Sequence, residues 1–155
     1  MTKKCDNKSV GMLAWRDNKL LLIERKKPPF GFAPPAGHLD EDDSFEHSAK
    51  RELMEEVGLN SKNIELLIEG RKENPCRREG GSWHYWKIYK IETSGEIKRS
   101  EDETKQANFY SKNDLLLLAS KTEKYISGDI NQDDWEKSPG LEPVWYEWLK
   151  ELKII

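Results

Sequence analysis

The feature that most constrains the fold of this chain is an amphipathic helix predicted over residues 43–57. Asp43 or Ser44 can cap its start, because a short polar side chain there accepts a hydrogen bond from an unpaired backbone N–H. With Asp43 as the cap, Glu46 three residues later completes a capping-box pattern. Gly58 suits the left-handed conformation in which helices commonly end. A stripe at four-residue spacing predicts the side that faces the core, namely Ala49, Leu53 and Val57.

Strand patterns stand before and after this helix. Five apolar runs are predicted to be strands, at residues 10–15, 20–24, 64–68, 83–91 and 107–110. The first two are separated by four polar residues that predict a hairpin turn. Further helices are predicted from Ser111 through Leu118 and from Pro143, and polar or proline-rich loops at 26–37 and 70–81. This order predicts an α/β/α sandwich of the α+β class with a mixed β-sheet, as a single domain over residues 1–155.

Composition limits the class of protein. A net charge of −3 argues against a general nucleic-acid or membrane binder, which is normally basic. The polar segment at residues 1–10 and the short apolar runs predict neither a signal peptide nor a membrane span, so we expect a cytoplasmic protein. Cys5 and Cys76 are too few and too distant in sequence to predict a disulfide framework or a metal cluster, and Cys76 receives no function.

Three glutamates on the predicted helix give the first indication of chemistry. At about 100° per residue, Glu52, Glu55 and Glu56 fall within an arc of roughly 100°, on a face turned away from the apolar stripe. Like charges this close repel one another, and a divalent cation would convert the repulsion into attraction. Magnesium prefers such oxygen ligands. The alternative is a solvated acidic face, which is common on helices.

The residues around these glutamates favour the metal interpretation. Residues 37–59 read GHLDEDDSFEHSAKRELMEEVGL. They resemble the Nudix box, whose pattern is G-x5-E-x7-R-E-U-x-E-E-x-G-U with U an aliphatic residue. The chain departs from it at one position, since Asp43 replaces the first glutamate. Asp43 keeps the charge with a shorter reach, so it is expected to cap the helix or pair with Arg51 while activity is retained.

The resemblance implies a magnesium-dependent pyrophosphohydrolase, with manganese as a substitute, that cleaves a phosphoanhydride bond in a nucleoside diphosphate derivative. It implies that Glu52 and Glu56 bind the metal, with Glu55 as a third ligand or as the group that orients water. The carbonyl of Gly37 is expected to complete the site. Arg51 is expected to pair with a neighbouring carboxylate and fix its position.

Other candidates lie outside the box. Nudix sites often receive a further carboxylate from a later loop, and Glu103 is the choice here for ligand or general base; the alternative is an acidic surface loop. Arg25 is a candidate for phosphate binding, and Phe32 beside the box a candidate for the nucleobase. Rings in residues 83–86 either stack on a base or fill the core, and His84 is expected to be structural.

The substrate stays open between two classes of small nucleotide. Pro75 lies sixteen residues after Leu59, a spacing that resembles Nudix enzymes acting on ADP-ribose, whereas the compact size resembles MutT-type enzymes acting on nucleoside triphosphates. A catalytically silent nucleotide sensor and an RNA 5′ pyrophosphohydrolase are the rivals. The acidic balance disfavours RNA. Either a monomer or a homodimer is compatible with the sequence.

Overall fold

A computed structural model describes residues 3–155 of the chain. Its strands are β1 (Lys8–Leu13), β2 (Trp15–Arg16), β3 (Lys19–Arg25), β4 (Phe32–Ala33), β5 (Ala36–His38), β6 (Asn60–Lys72), β7 (His84–Ser94) and β8 (Thr104–Tyr110). Its helices are α1 (Phe45–Val57), α2 (Lys112–Ile126), α3 (Gln132–Lys137) and α4 (Pro143–Glu151). Within residues 3–155, none of these helices has both the length and the apolar character needed to cross a bilayer.

The strands form two four-stranded sheets. One has the order β5-β1-β7-β6, in which β1 and β7 are parallel and both outer pairs are antiparallel. In the other, β3 pairs antiparallel with β2, β4 and β8. The predicted mixed α+β class is confirmed, although the strands divide between one mixed and one antiparallel sheet.

The core lies on both sides of these sheets. Under α1, the predicted stripe of Ala49, Leu53 and Val57 is fully buried. On the other side, Trp145 and Trp148 of α4 are buried, and the ring of Trp145 meets that of Trp86 at 5.4 Å. Removing a buried leucine such as Leu53 typically costs about 2–5 kcal/mol, so this packing fixes α1 firmly against the sheet.

The ends of α1 differ in one respect from the sequence prediction. Ser44 is the N-cap, and its hydroxyl accepts a hydrogen bond of 3.0 Å from the backbone N–H of His47. The predicted capping box between Asp43 and Glu46 is wrong, because the side chain of Asp43 instead lies 2.9 Å from the ring nitrogen Nδ1 of His47. Gly58 ends the helix with φ of 71°, as predicted.

Several strands and helices are longer than the sequence patterns indicated. The strand β6 runs on to Lys72, within the residues predicted as a loop, and α2 runs on to Ile126. β6 is an edge strand, and much of its surface is exposed. It is held by backbone hydrogen bonds to β7, so its sequence does not need to alternate between apolar and polar residues. The proline-rich segment contains the short strands β4 and β5. The helix α3 was missed because it has only six residues, most of them polar, around Trp135.

Candidate functional site

Three of the four sequence-predicted carboxylates line a cleft of about 190 Å³, here called the carboxylate cleft. Glu52 and Glu56 enter it from α1, and Glu103 enters from the turn before β8. Glu142, which precedes α4, adds a fourth carboxylate that sequence reasoning missed. The fold therefore gathers acidic side chains from three separate segments at one place.

Three of these carboxylates are largely held out of water, and Glu142 among them is 6% exposed. Glu56 is 4% exposed, and one oxygen accepts a 3.3 Å hydrogen bond from the backbone N–H of Ala36. Burial, with the negative charge of Glu52 beside it, raises the pKa of Glu56 well above its ordinary value. Burial also raises the pKa of Glu52 to about 7, against the opposing effect of Arg51. Glu56 thus lies beside the buried side of α1, which corrects the expectation of a carboxylate face turned away from it.

Arg51 connects the carboxylates to the loop before α1. Its guanidinium donates to Glu52 at 2.9 Å, to Glu55 at 3.1 Å and to the backbone carbonyl of His38 at 3.2 Å. It also donates to Asp42 at 2.8 Å. A planar guanidinium holds several oxygens in fixed directions, so this arrangement sets the position of Glu52.

Asp42, rather than Asp43, is the aspartate that Arg51 contacts. Asp42 also accepts a 2.7 Å hydrogen bond from the hydroxyl of Ser48. The hydrogen bonds from Ser48 and Arg51 lower the pKa of Asp42. Asp43, the residue at the departing position of the box, is exposed and bonded to His47. The expected pairing of Asp43 with Arg51 was therefore wrong.

The remaining sequence candidates have distinct surroundings. Glu55 has a side chain that is 57% exposed, and its contact is with Arg51 at the edge of the site. Arg25 lines the carboxylate cleft, and its Nε donates to the carbonyl of Pro29 at 2.7 Å. Phe32 is buried in the core with its ring 5.7 Å from that of Tyr110, so its assignment to the nucleobase is corrected.

Cationic side chains form another part of the cleft lining. Arg25, Lys27 and Arg77 line it together with Arg78, which is also bonded to Asp40. Lys27, Arg77 and Arg78 were not among the site residues expected from the sequence. These cationic side chains come together because two loops, at residues 26–31 and 73–83, fold over the same cleft. Acidic and basic groups in one cleft suit a metal ion together with an anionic ligand.

A second cavity of about 390 Å³, here called the aromatic cavity, adjoins the carboxylate cleft. The two share part of their lining, namely Pro29, Asn74, Pro75 and Glu142. The rings of Tyr125 and Trp135, which lie stacked 4.0 Å apart, line the aromatic cavity together with Phe30. Such a cavity can hold a planar ring next to charged groups.

A group of four cysteine and histidine side chains lies beside the carboxylate cleft, and three of them, His38, Cys76 and His84, line it. Cys5, His38, Cys76 and His84 place one ligand atom each within 4.8 Å of one another. The two cysteines, although distant in sequence, lie close together because the N-terminal segment packs against the loop at 73–83. His84 is a buried hydrogen-bonding residue, as predicted, with its ring nitrogen Nδ1 3.0 Å from the carbonyl of Asn74.

Comparison with known proteins agrees with this geometry. A protein-family model for the NUDIX domain matches residues 6–128. The chain is 39% identical over 115 residues to an ADP-ribose pyrophosphatase of Methanocaldococcus jannaschii, covering 72% of this chain and 65% of that protein. It is 27% identical over 107 residues to the 8-oxo-dGDP phosphatase NUDT18 of Danio rerio, covering 66% of this chain and 31% of that protein.

Solved structures give the same fold. The NUDIX domain of Shewanella oneidensis NrtR, crystallised with ADP ribose, superposes with a TM-score of 0.58 at 20% identity and covers 76% of this chain and 79% of that one. The chain described here belongs to the Nudix family, and residues 37–59, which resemble the Nudix box, lie inside the matched region. The alignment spans less than two thirds of either curated relative.

Proposed function

We propose that this Nudix chain hydrolyses the phosphoanhydride bond of a nucleoside diphosphate derivative of the ADP-ribose class, using Mg²⁺ with Mn²⁺ as a substitute. The observation that carries the proposal is the meeting of Glu52, Glu56 and Glu103 with cationic side chains in one cleft, next to an aromatic cavity. The relative from Methanocaldococcus jannaschii, named an ADP-ribose pyrophosphatase, supports this substrate class.

The residues present fit a magnesium site. Glu52 and Glu56 are nearly buried carboxylates, and their raised pKa values reflect a cost that a bound cation would offset. All the side-chain donors are carboxylate oxygens, which magnesium prefers, and the carbonyl of Gly37 is a further candidate ligand. Magnesium bound there would polarise phosphate oxygens and make a bound water more acidic.

Side chains of the chain itself perform the other tasks. Arg51 holds Glu52 in position through the 2.9 Å bond between them. Arg25, Lys27 and Arg77 would bind the non-bridging oxygens of the diphosphate. Glu103 is our candidate to accept a proton from the attacking water, while the bond between phosphorus and the bridging oxygen breaks. With ADP-ribose and one water, the products are AMP and ribose 5-phosphate.

The aromatic cavity is the proposed nucleoside subsite. The ring of Phe30 is available to contact a base, whereas Trp135 is buried and Tyr125 already stacks upon it. Pro75 lines both cavities, so the residue that first favoured ADP-ribose lies where a nucleoside and its diphosphate would join. Nucleoside triphosphates and 8-oxo-dGDP, the compound named for the relative NUDT18 of Danio rerio, are the second class of substrate to be tested.

The test is a hydrolysis panel with Mg²⁺. ADP-ribose, 8-oxo-dGDP, nucleoside triphosphates and triphosphorylated RNA are incubated separately, and the products are separated by anion-exchange chromatography. We expect the highest kcat/KM with ADP-ribose, and reactions in ¹⁸O-labelled water identify the phosphorus attacked. The Glu56→Gln variant is the control for contaminating hydrolases. Binding without turnover of any compound would contradict the proposal and favour the sensor; preferred cleavage of RNA would favour the 5′ pyrophosphohydrolase.

A further inference from the structure

Two cysteines and two histidines converge beside the carboxylate cleft from four separate segments of the chain. Cys5 precedes β1, His38 ends β5, Cys76 lies in the loop at 73–83 and His84 begins β7. The sulfur of Cys5 lies 3.5 Å from Nε2 of His38 and 3.3 Å from Nε2 of His84. With metal bonds of about 2.3 Å to sulfur and 2.0–2.1 Å to nitrogen, a tetrahedral zinc site requires sulfur–nitrogen edges of roughly 3.6 Å.

Each sulfur accepts a hydrogen bond from a nearby backbone N–H. The sulfur of Cys5 accepts a 3.3 Å hydrogen bond from the N–H of Asn7, and that of Cys76 accepts one of 3.4 Å from the N–H of Arg78. In both cases the donor lies two residues after the cysteine. Because a thiolate is the form that binds a metal, amide hydrogens directed at sulfur lower the cost of a site with two negative charges.

The histidine geometry presents the required nitrogens. Nδ1 of His84 lies 3.0 Å from the carbonyl oxygen of Asn74, which has no proton, so Nδ1 must be the donor. The neutral ring then carries its lone pair on Nε2, the atom that faces Cys5. An outward hydrogen bond from one ring nitrogen to a backbone carbonyl is the usual way in which a metal-binding imidazole is oriented.

The loop that carries Cys76 is closed by short backbone contacts. The N–H of Cys76 donates to the carbonyl of Gly81 at 2.7 Å. A β-carbon at Gly81 would lie 2.1 Å from the sulfur of Cys76, so the turn brings backbone directly against that sulfur. The N–H of Cys5 donates to the carbonyl of Glu79 at 2.8 Å, which holds the N-terminal segment to the same turn.

We propose that Cys5, His38, Cys76 and His84 bind one Zn²⁺ ion as a structural site separate from the magnesium carboxylates. Two sulfurs and two nitrogens in tetrahedral reach select zinc over magnesium, which prefers oxygen. Four protein ligands leave no open position for water or substrate, so the ion supports structure and not hydrolysis. It links the N-terminal segment, the loop at 73–83 and β5, the strand that also contains Gly37.

The test measures metal content and stability in protein purified without a metal-affinity tag. We expect about one zinc per chain by elemental analysis, which is the stoichiometry of a four-ligand structural site. Replacement by Co²⁺ should give the visible d–d bands of tetrahedral cobalt and a thiolate-to-cobalt charge-transfer band. Removing zinc with a strong chelator should lower the unfolding temperature by at least about 5 °C, and adding Zn²⁺ should restore it.

Variants separate this site from the carboxylates. Cys76→Ser and His84→Gln should lose at least tenfold in zinc affinity, whereas Glu56→Gln should keep its zinc. The matched control is His47→Gln, since His47 is an exposed histidine on α1 outside the cluster. Circular dichroism identifies any variant that fails to fold, and chelation of the wild-type protein then gives the result independently.

Two outcomes would overturn the proposal. One is a Cys5–Cys76 disulfide in the protein as isolated, detected by the mass of the alkylated chain without reductant. The other is zinc content well below one per chain that does not respond to Cys76→Ser, with the cobalt bands absent. Loss of nucleotide hydrolysis in the panel would leave the zinc measurements unaffected, so failure of the proposed activity and failure of this site are distinguishable.

Discussion

The carboxylate of Glu52 lies directly against the backbone of Gly37. A β-carbon at residue 37 would lie 2.2 Å from Cδ of Glu52 and 2.5 Å from its Oε1. The glycine that opens the Nudix box is therefore required here by space, because the helix carboxylate occupies the volume where a side chain would begin. Any residue larger than glycine must displace Glu52 or the strand β5.

Gly37→Ala should reduce kcat at least tenfold. The added methyl group moves the Glu52 carboxylate away from the cleft, and overpacking of this kind commonly costs about 1–3 kcal/mol in stability. Steady-state kinetics and thermal unfolding measure the two effects. Gly70→Ala is the control, since a β-carbon there meets Trp148 at an ordinary 3.6 Å. Equal activity of the two variants would contradict this account of Gly37.

The local parts of the fold followed from the sequence because they depend on neighbouring residues. The stripe of Ala49, Leu53 and Val57 and the ending at Gly58 are both set within α1. The division into two sheets and the pairing of β1 with β7 depend on contacts between distant segments. Hydrophobic periodicity carries no information about such pairings.

The contribution of Glu52 to stability without magnesium should decrease as pH rises from about 4.5 to 7. The pKa of Glu52 is raised from 4.5 to about 7, so between these values the folded state binds a proton that the unfolded state has released. The stabilising contribution is full below pH 4.5 and is lost as pH rises through 7, by up to about 3 kcal/mol. Urea unfolding across this range in magnesium-free buffer measures it.

Glu52→Gln removes the titration of Glu52 together with its coupling to Glu56, and leaves the titration of His38 in place. Burial and the charge of Arg78 lower the pKa of His38 to about 4, which gives an opposite dependence over part of the range. The difference in unfolding free energy between wild type and Glu52→Gln removes the histidine effect. We expect the variant to be the more stable at pH 7 and the difference to shrink when Mg²⁺ is added. If the difference in unfolding free energy between the two proteins did not change with pH, the pKa of Glu52 would not be raised in the folded state.

Asp42→Asn should reduce activity more than Asp43→Asn does. The side chain of Asp42 accepts bonds from Arg51 and Ser48, whereas Asp43 is exposed and contacts His47. Losing the residue that orients Arg51 commonly costs about 10–100-fold in metal affinity or activity. We expect that range for Asp42→Asn and a change within about twofold for Asp43→Asn. Activity is measured for both variants as a function of Mg²⁺ concentration. A larger loss in Asp43→Asn than in Asp42→Asn would contradict this account and assign the role to Asp43.

The chemistry of the site was only partly accessible from sequence. Glu52 and Glu56 lie in a contiguous motif, so their residue types and spacing identified them. Glu142 and the Cys–His cluster come from dispersed positions in the chain, and folding alone brings Glu142, His38, Cys76 and His84 to the cleft, with Cys5 beside them. Phe32 failed as a candidate because an aromatic residue next to a motif has the same sequence appearance in a core as in a cleft.

Glu103→Gln tests whether the loop before β8 supplies the general base. Glu103 lies in the carboxylate cleft, and its negative charge contributes to the raised pKa values of Glu52 and Glu56. Loss of a general base lowers kcat by about 100-fold or more, and a glutamine of the same shape cannot accept the proton. The neighbouring Glu101→Gln, in the same turn, is the matched control and should stay within about twofold. Saturating Mg²⁺ distinguishes the two roles of Glu103: activity that recovers at high Mg²⁺ would identify it as a metal ligand, whereas the proton-accepting role requires that kcat stay low at every concentration.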